Sequence, residues 1–196
     1  MKVFGIGWHK TATHSLQSAL DMLGFEGTHF PYKAFGEVTA GHTEITDVES
    51  QKSLTDFPVP LIFKELDLLY PKSKYILTLR SPKEWLRSVR KHFDFMETPQ
   101  EAFEGLTPHQ YWEDLGRPIS EMHTYAYGQS FFEQDVFLER YQDHNQEVLN
   151  YFRSRQDDLL VMDMSKGAGW KELCGFLGVK EPSKEYPFKN TANNRV

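Results

Sequence analysis

The stretch Lys2–Leu16, KVFGIGWHKTATHSL, puts the tightest constraint on what this chain can fold into. Lys2–Ile6 is short, apolar and β-branched, as a buried strand is. Gly5 and Gly7 interrupt it. From Thr13 the spacing turns helical, with Leu16, Ala19, Leu20 and Leu23 on one face. A strand that passes through a glycine-bearing loop into a helix opens a parallel α/β unit.

The rest of the chain continues that alternation. Gly24–Phe30 reads as a second short strand. Pro31–Ser53 is polar and weakly periodic, and reads as a loop with one or two helical turns. Asp56–Pro60 leads into a short apolar piece, Leu61–Phe63. Glu65–Tyr70 has helical spacing and stops at Pro71. Lys74–Leu79 is a clear strand. Pro82 suits the first turn of the next helix, with Ser81 as its cap, and the spacing carries that helix to about His92. Phe93–Pro118 is mixed, with Pro99, Pro108 and Pro118 as breakers. Ile119–Phe132 is aromatic and partly helical. Glu133–Arg155 reads as one long amphipathic helix, Leu159–Met162 as a strand, and Trp170–Leu177 as a closing helix ended by Gly178. The expected architecture is one domain over 1–196, a three-layer α/β/α fold around a central parallel sheet holding Lys2–Ile6, Lys74–Leu79 and Leu159–Met162. Ligands of such sheets bind beyond the carboxyl ends of the strands, where Lys10 and Arg80 both fall.

Charge and cysteine content narrow the function classes. With a net charge of −6, the 196-residue chain does not fit a general nucleic-acid binder or a membrane-surface binder. A small anion answers to local charge, so a nucleotide site remains open. The one cysteine, Cys174, lies in an apolar helical run and reads as a core residue. It permits no intrachain disulfide, and no Cys/His metal cluster is expected. No apolar run reaches the length of a membrane span, and the expected location is cytoplasmic. Oligomeric state is not legible.

The loop between the first strand and helix carries the chemistry. A loop entering a helix N-terminus offers backbone N–H groups and the positive end of the helix dipole. Lys10 adds a point charge, and Thr11, Thr13 and Ser15 add hydroxyls. Such a turn suits a phosphate or a sulfate. It is not a Walker A motif, because His9 stands where the second glycine belongs and Gly5 to Lys10 is one residue short. Lys10-Thr11-Ala12-Thr13-His14-Ser15-Leu16 instead resembles the 5′-phosphosulfate-binding loop of the sulfotransferase family, K-[TS]-[GA]-T-[TS]-[SW]-L, with His14 in place of the usual Thr or Ser.

A second motif agrees. Arg80-Ser-Pro-Lys-Glu-Trp-Leu-Arg-Ser88 resembles the family's 3′-phosphate motif, in which an Arg ends a strand and a Ser lies along the next helix. A guanidinium fork grips a phosphate bidentately. Leu159–Val179 resembles the family's late strand, loop and closing helix, where Lys166 or Lys171 supplements the 3′-phosphate site. Asp56-x-Pro58, Glu65-Leu66-Asp67 and Tyr70-Pro71 resemble the heparan-sulfate and small prokaryotic or fungal branches. Pro187-Phe188-Lys189-Asn190 resembles a C-terminal element of some branches.

The resemblance implies a P-loop-NTPase-like sulfotransferase fold. It implies 3′-phosphoadenosine 5′-phosphosulfate as donor, adenosine 3′,5′-bisphosphate as product, and no metal. The acceptor would be a hydroxyl or amine of a small molecule or carbohydrate. Lys10, Thr11, Ala12, Thr13, His14, Ser15, Arg80, Ser88 and Lys166 would bind the donor, and Lys10 would stabilise the leaving group. The base stays open. His29 ends the second strand, and an imidazole of ordinary pKa suits neutral pH. Glu37 lies in the following loop. His29 ranks first by a small margin, with Asp56 and the more remote His123 after the two. A small-molecule or nucleotide kinase, or a non-catalytic nucleotide-binding protein of the same fold, is the alternative.

Overall fold

The computed structural model describes residues 1–92, 116–129 and 131–188. Five strands form one sheet: β1 (Val3–Gly5), β2 (Gly27–His29), β3 (Ser53–Thr55), β4 (Lys74–Leu79) and β5 (Leu159–Asp163). Their order is β2-β3-β1-β4-β5 and every pair is parallel. The expected parallel sheet is present, with β1, β4 and β5 side by side. Phe4 sits opposite Leu54 on one neighbour and Tyr75 on the other. β3 begins at the last residue of the segment read as loop, where the sequence reading assigned no strand. Ser53-Leu54-Thr55 is too short and polar to announce a strand, yet all three residues are buried.

Alternation along the strands sorts side chains to the two faces. Val3 and Ile76 pack on one face with Leu16, Ala19 and Leu20 of α1 (Thr13–Met22). Leu173 and Leu177 of the closing helix Trp170–Leu177 join them there. Phe4, Tyr75 and Leu77 pack on the other face. They meet Ala34 of α2 (Lys33–Thr39), Val48 of α3 (Thr46–Ser50), and Phe63 and Leu66 of α4 (Phe63–Leu69). Helices on both faces of a parallel sheet make the three layers. The 31–53 segment is thus more helical than expected, and α4 begins at Phe63, inside the apolar piece read as separate from it. Cys174 is buried on the closing helix, as expected of a small core residue, and burial pushes its thiol up.

The described residues divide into two compact units, 1–80 with 147–196, and 81–146. The second holds α5 (Pro82–His92), α6 (Gly116–Tyr127) and most of α7 (Gln134–Tyr151). Its core is aromatic. Trp85 stacks on Tyr141 at 4.3 Å, and Tyr127 on Phe137 at 3.6 Å. His123 meets both Tyr127 and Phe137 edge-on. Pro118, read as a breaker, lies in the first turn of α6, where proline costs no helical hydrogen bond. Ser81 Oγ donates to Glu84 at 2.8 Å, tying the start of α5. The long helix ends at Tyr151, before a turn and the 3-10 segment Gln156–Asp158. Gly178 ends the closing helix in the left-handed conformation. Lys189 and Asn190 of the C-terminal motif lie outside the described residues. No helix among the described residues is long and apolar enough to cross a membrane.

An ion pair fastens the turn that follows α7 to α4. Arg155 donates to both oxygens of Asp67, at 3.1 and 2.6 Å, and Tyr151 Oη donates at 2.8 Å. Burial works to raise the Asp67 carboxyl, but the hydrogen bonds from Arg155 and Tyr151 outweigh it and hold it below its usual range. The folded value is lowered, so its stabilisation is present above the unfolded carboxylate value and is lost as pH falls through the folded one. Asp67→Asn should cost about 1–2 kcal/mol at neutral pH, discounted for the partly exposed Arg155. It should also flatten the fall in stability below about pH 4. Urea denaturation across acid pH measures both, and an unchanged acid limb would contradict the assignment.

Candidate functional site at the carboxyl ends of the strands

Glycine at position 7 sets the path of the first loop. A Cβ there would lie 1.9 Å from Thr78 Oγ1 and 2.7 Å from Thr78 O, so only glycine lets β1 run this close to β4. The same Thr78 hydroxyl lies 2.7 Å from Thr11 Oγ1. The Thr11 hydroxyl also bonds Trp8 O at 2.6 Å, and its N–H donates to the same oxygen at 3.3 Å. Thr11 is therefore a buried tether inside the loop, with its hydroxyl committed to protein partners.

Lys10 and Ala12 on either side of it take left-handed backbone, with φ of 65° and 72°. Left-handed backbone in non-glycine residues is strained, and such strain gathers at ligand-holding loops. Ala12 O accepts the first helical bond, from Leu16 N, and α1 begins with no side-chain cap. A ten-residue helix thus points an uncapped N-terminus at the loop. Thr13 and Ser15 are buried, Lys10 is half-buried and His14 is exposed. Arg80, at the end of β4, donates through Nη1 to Lys10 O at 3.5 Å. The guanidinium that follows β4 therefore reaches the backbone of the loop that carries Lys10.

His29, at the end of β2, comes to the same place. Its Nε2 lies 3.2 Å from Asp56 Oδ2 and 3.3 Å from Thr13 Oγ1. Its ring is 4.9 Å from that of His14. Asp56 follows β3 directly and is itself left-handed, with φ of 70°. Trp8 and His9 close the floor of the loop against Phe57, at 4.9 and 4.8 Å, both edge-on.

The other named residues have the following surroundings. Glu37 is bound to α3: its carboxylate accepts from Thr46 N at 3.0 Å and from Thr46 Oγ1 at 2.5 Å. Those contacts make it the cap of α3, whose own N-cap residue, Ile45, has no side-chain acceptor. Lys166 ends the 3-10 turn Met164–Lys166 after β5, is 81% exposed and pairs with Asp163 at 3.0 Å. Hydrogen bonds from Ser165, then from Lys166, hold the Asp163 carboxyl low against its partial burial. Ser88 is half-buried on α5, and His123 is buried on α6, both in the second unit. Among the described residues, no group of three or more His, Cys, Asp or Glu side chains could hold a metal.

The sequence reading missed Gln17 and Thr78. Gln17 Nε2 donates to Ser53 Oγ at 2.8 Å and to Asp21 Oδ1 at 2.9 Å, and Thr55 Oγ1 donates to Gln17 Oε1 at 3.0 Å. This buried polar net locks α1 to β3. A polar residue on a helix's apolar side is the available signal for Gln17, and the one threonine in the apolar run KYILTL is that for Thr78.

A family described as a sulfotransferase domain matches residues 2–195. The chain is also 28% identical to Ava biosynthesis cluster protein M of Aspergillus versicolor over a 223-residue alignment. That alignment covers 100% of this chain and 83% of the relative.

Thr11→Val removes one hydroxyl that serves two buried partners. It should destabilise the fold by about 1–3 kcal/mol, because Trp8 O and Thr78 Oγ1 lose a hydrogen bond in a buried place. Thermal unfolding of the variant measures this, and an unchanged midpoint would contradict the tether.

Proposed function

Because this chain belongs to the sulfotransferase domain family, we propose that it moves a sulfuryl group from 3′-phosphoadenosine 5′-phosphosulfate to a hydroxyl or amine of an acceptor. The observation that carries this reading is the convergence on one loop of Lys10, Arg80, His29 and the uncapped start of α1. A dianionic group fits those donors in kind: two cations, backbone N–H groups at a helix N-terminus and an exposed imidazole edge. One family matching both compact units supports reading 1–196 as one functional domain. The relative's name speaks of a biosynthesis cluster. Carried over, it favours a small-molecule acceptor over a carbohydrate.

Each residue has a definable task in this reading. Lys10 and the N–H groups from Ala12 to Ser15 hold the 5′-phosphosulfate, while Thr11, whose N–H and hydroxyl are bound to Trp8 and Thr78, shapes the loop. Lys10 also stabilises charge on the oxygen that bridges phosphorus and sulfur as that bond breaks. Arg80 binds the 3′-phosphate and, through Lys10 O, steadies the loop. The family motif assigns Ser88 to the same phosphate, and Lys166 reaches it only by leaving Asp163. His29 accepts the acceptor's proton. Glu37 takes no part in this step, because its carboxylate is spent on α3.

Calorimetric titration with adenosine 3′,5′-bisphosphate, with ATP–Mg²⁺ as control, tests the reading. The bisphosphate should bind and ATP should bind much more weakly. Arg80→Ala should lower bisphosphate affinity by roughly tenfold to a hundredfold, as expected for a lost charge-assisted contact. Equal affinity of the two proteins would refute the assignment. Lys10→Ala should lower sulfuryl-transfer turnover more than product affinity, because its charge matters most as the leaving group develops.

A further inference from the structure

We propose that Asp56 is the positioning residue of the site: it fixes His29 as the Nε2–H tautomer, so that Nδ1 is the ring atom that takes the acceptor's proton. The inference rests on the reading of His29 as the base and adds to it the residue that sets its tautomer and the atom that reacts.

The geometry leads there directly. Nε2 lies 3.2 Å from Asp56 Oδ2, within N–H···O range. A carboxylate only accepts, so the proton of that hydrogen bond belongs to Nε2. Thr13 Oγ1, at 3.3 Å from the same nitrogen, either accepts or donates and adapts to whichever form Asp56 imposes. With Nε2 protonated, the lone pair of the neutral ring sits on Nδ1. The His29 side chain keeps 28% of its surface exposed, so the ring is held without being sealed.

Asp56 is built for this task. It stands just after β3, which pairs with β2 so that His29 lies opposite Thr55. Neighbouring parallel strands thus deliver acid and base to one edge of the sheet. Its second oxygen, Oδ1, is buried with no hydrogen-bond partner. A buried carboxylate oxygen lacking a donor is costly, which makes the hydrogen bond from His29 the stronger determinant of where the carboxylate sits. The left-handed backbone of Asp56 is one that Asp, Asn and Gly adopt more readily than other residues.

The step balances as follows. The acceptor's O–H proton passes to Nδ1 while the oxygen's electron pair forms the new bond to sulfur. The bond from sulfur to the 5′-phosphate oxygen breaks, and its pair leaves on that oxygen beside Lys10. The ring is then an imidazolium, with Nε2–H still on Asp56 Oδ2, which stabilises it.

The test is nitrogen-15 NMR of the imidazoles in the 196-residue chain at mildly alkaline pH. His29→Gln assigns the resonance. Wild type should show Nε2–H in excess by about tenfold or more, the worth of one charge-assisted hydrogen bond. Asp56→Gly removes the carboxylate while easing the backbone and should reduce that excess several-fold. Asp56→Asn, which keeps the shape and the left-handed turn, should lie between them. Nδ1–H as the main wild-type form would overturn the proposal, as would equal tautomer ratios in wild type and Asp56→Gly. The result is separable from that of the donor reading. Loss of bisphosphate binding strikes the reading and leaves the tautomer as measured, whereas a wrong tautomer with intact bisphosphate binding strikes Asp56 alone.

Discussion

The close approach of Gly7 to Thr78 is the contact on which the rest of the site depends. With no Cβ between them, the end of β1 lies against β4 near van der Waals limits. Thr78 then has its hydroxyl at the one distance that meets Thr11. Thr11 in turn folds the loop back on Trp8 and forces left-handed backbone at Lys10 and Ala12. The strain of those two residues is offset by the buried hydrogen bonds of Thr11 between them. A side chain at position 7 would part the strands and dissolve that sequence of contacts from its start.

A second set of buried polar contacts determines where the opposite wall stands. Gln17 reaches from α1 to Ser53 and Thr55 on β3, and Ser53 Oγ donates to Phe25 O just before β2. Because β3 lies between β1 and β2 in the sheet, this net holds β2 at a set distance from the loop. His29 and Asp56 are the residues at the ends of those two strands. Their meeting is thus a consequence of strand order, reinforced by a fully satisfied amide in the interior. The hydrophobic faces bury the sheet on both sides, and the polar net ties α1 to β3 and β3 to the start of β2.

The two compact units divide the work of folding differently. The sheet unit relies on aliphatic side chains from both faces, sorted by strand alternation. The 81–146 unit relies on stacked aromatic pairs, Trp85 with Tyr141 and Tyr127 with Phe137. Of the aromatic stretch Ile119–Phe132, Tyr127 is buried in this core, Phe131 and Phe132 are half-buried and Tyr125 is exposed. Stacked rings bring large buried area at low conformational cost.

By itself the sequence determined the strand–loop–helix opening, the strands β4 and β5, helix α5 with its proline start, and the closing helix with its glycine stop. These are local matters: apolar spacing, caps and breakers act over a few residues and leave their mark in the order of the letters. It also determined which residues gather at the carboxyl ends of the strands, since Lys10 and Arg80 each follow one directly. Tertiary structure alone decided the place of β3, whose Ser-Leu-Thr carries no strand pattern and is buried only because two strands flank it. It alone decided that Glu37 caps α3 while His29 turns toward Thr13 and Asp56. Thr11 and Thr78 are 67 positions apart, and no local rule links them. Contacts of that kind follow from which strands become neighbours, and strand order is settled by the packing of the whole sheet rather than by any one segment.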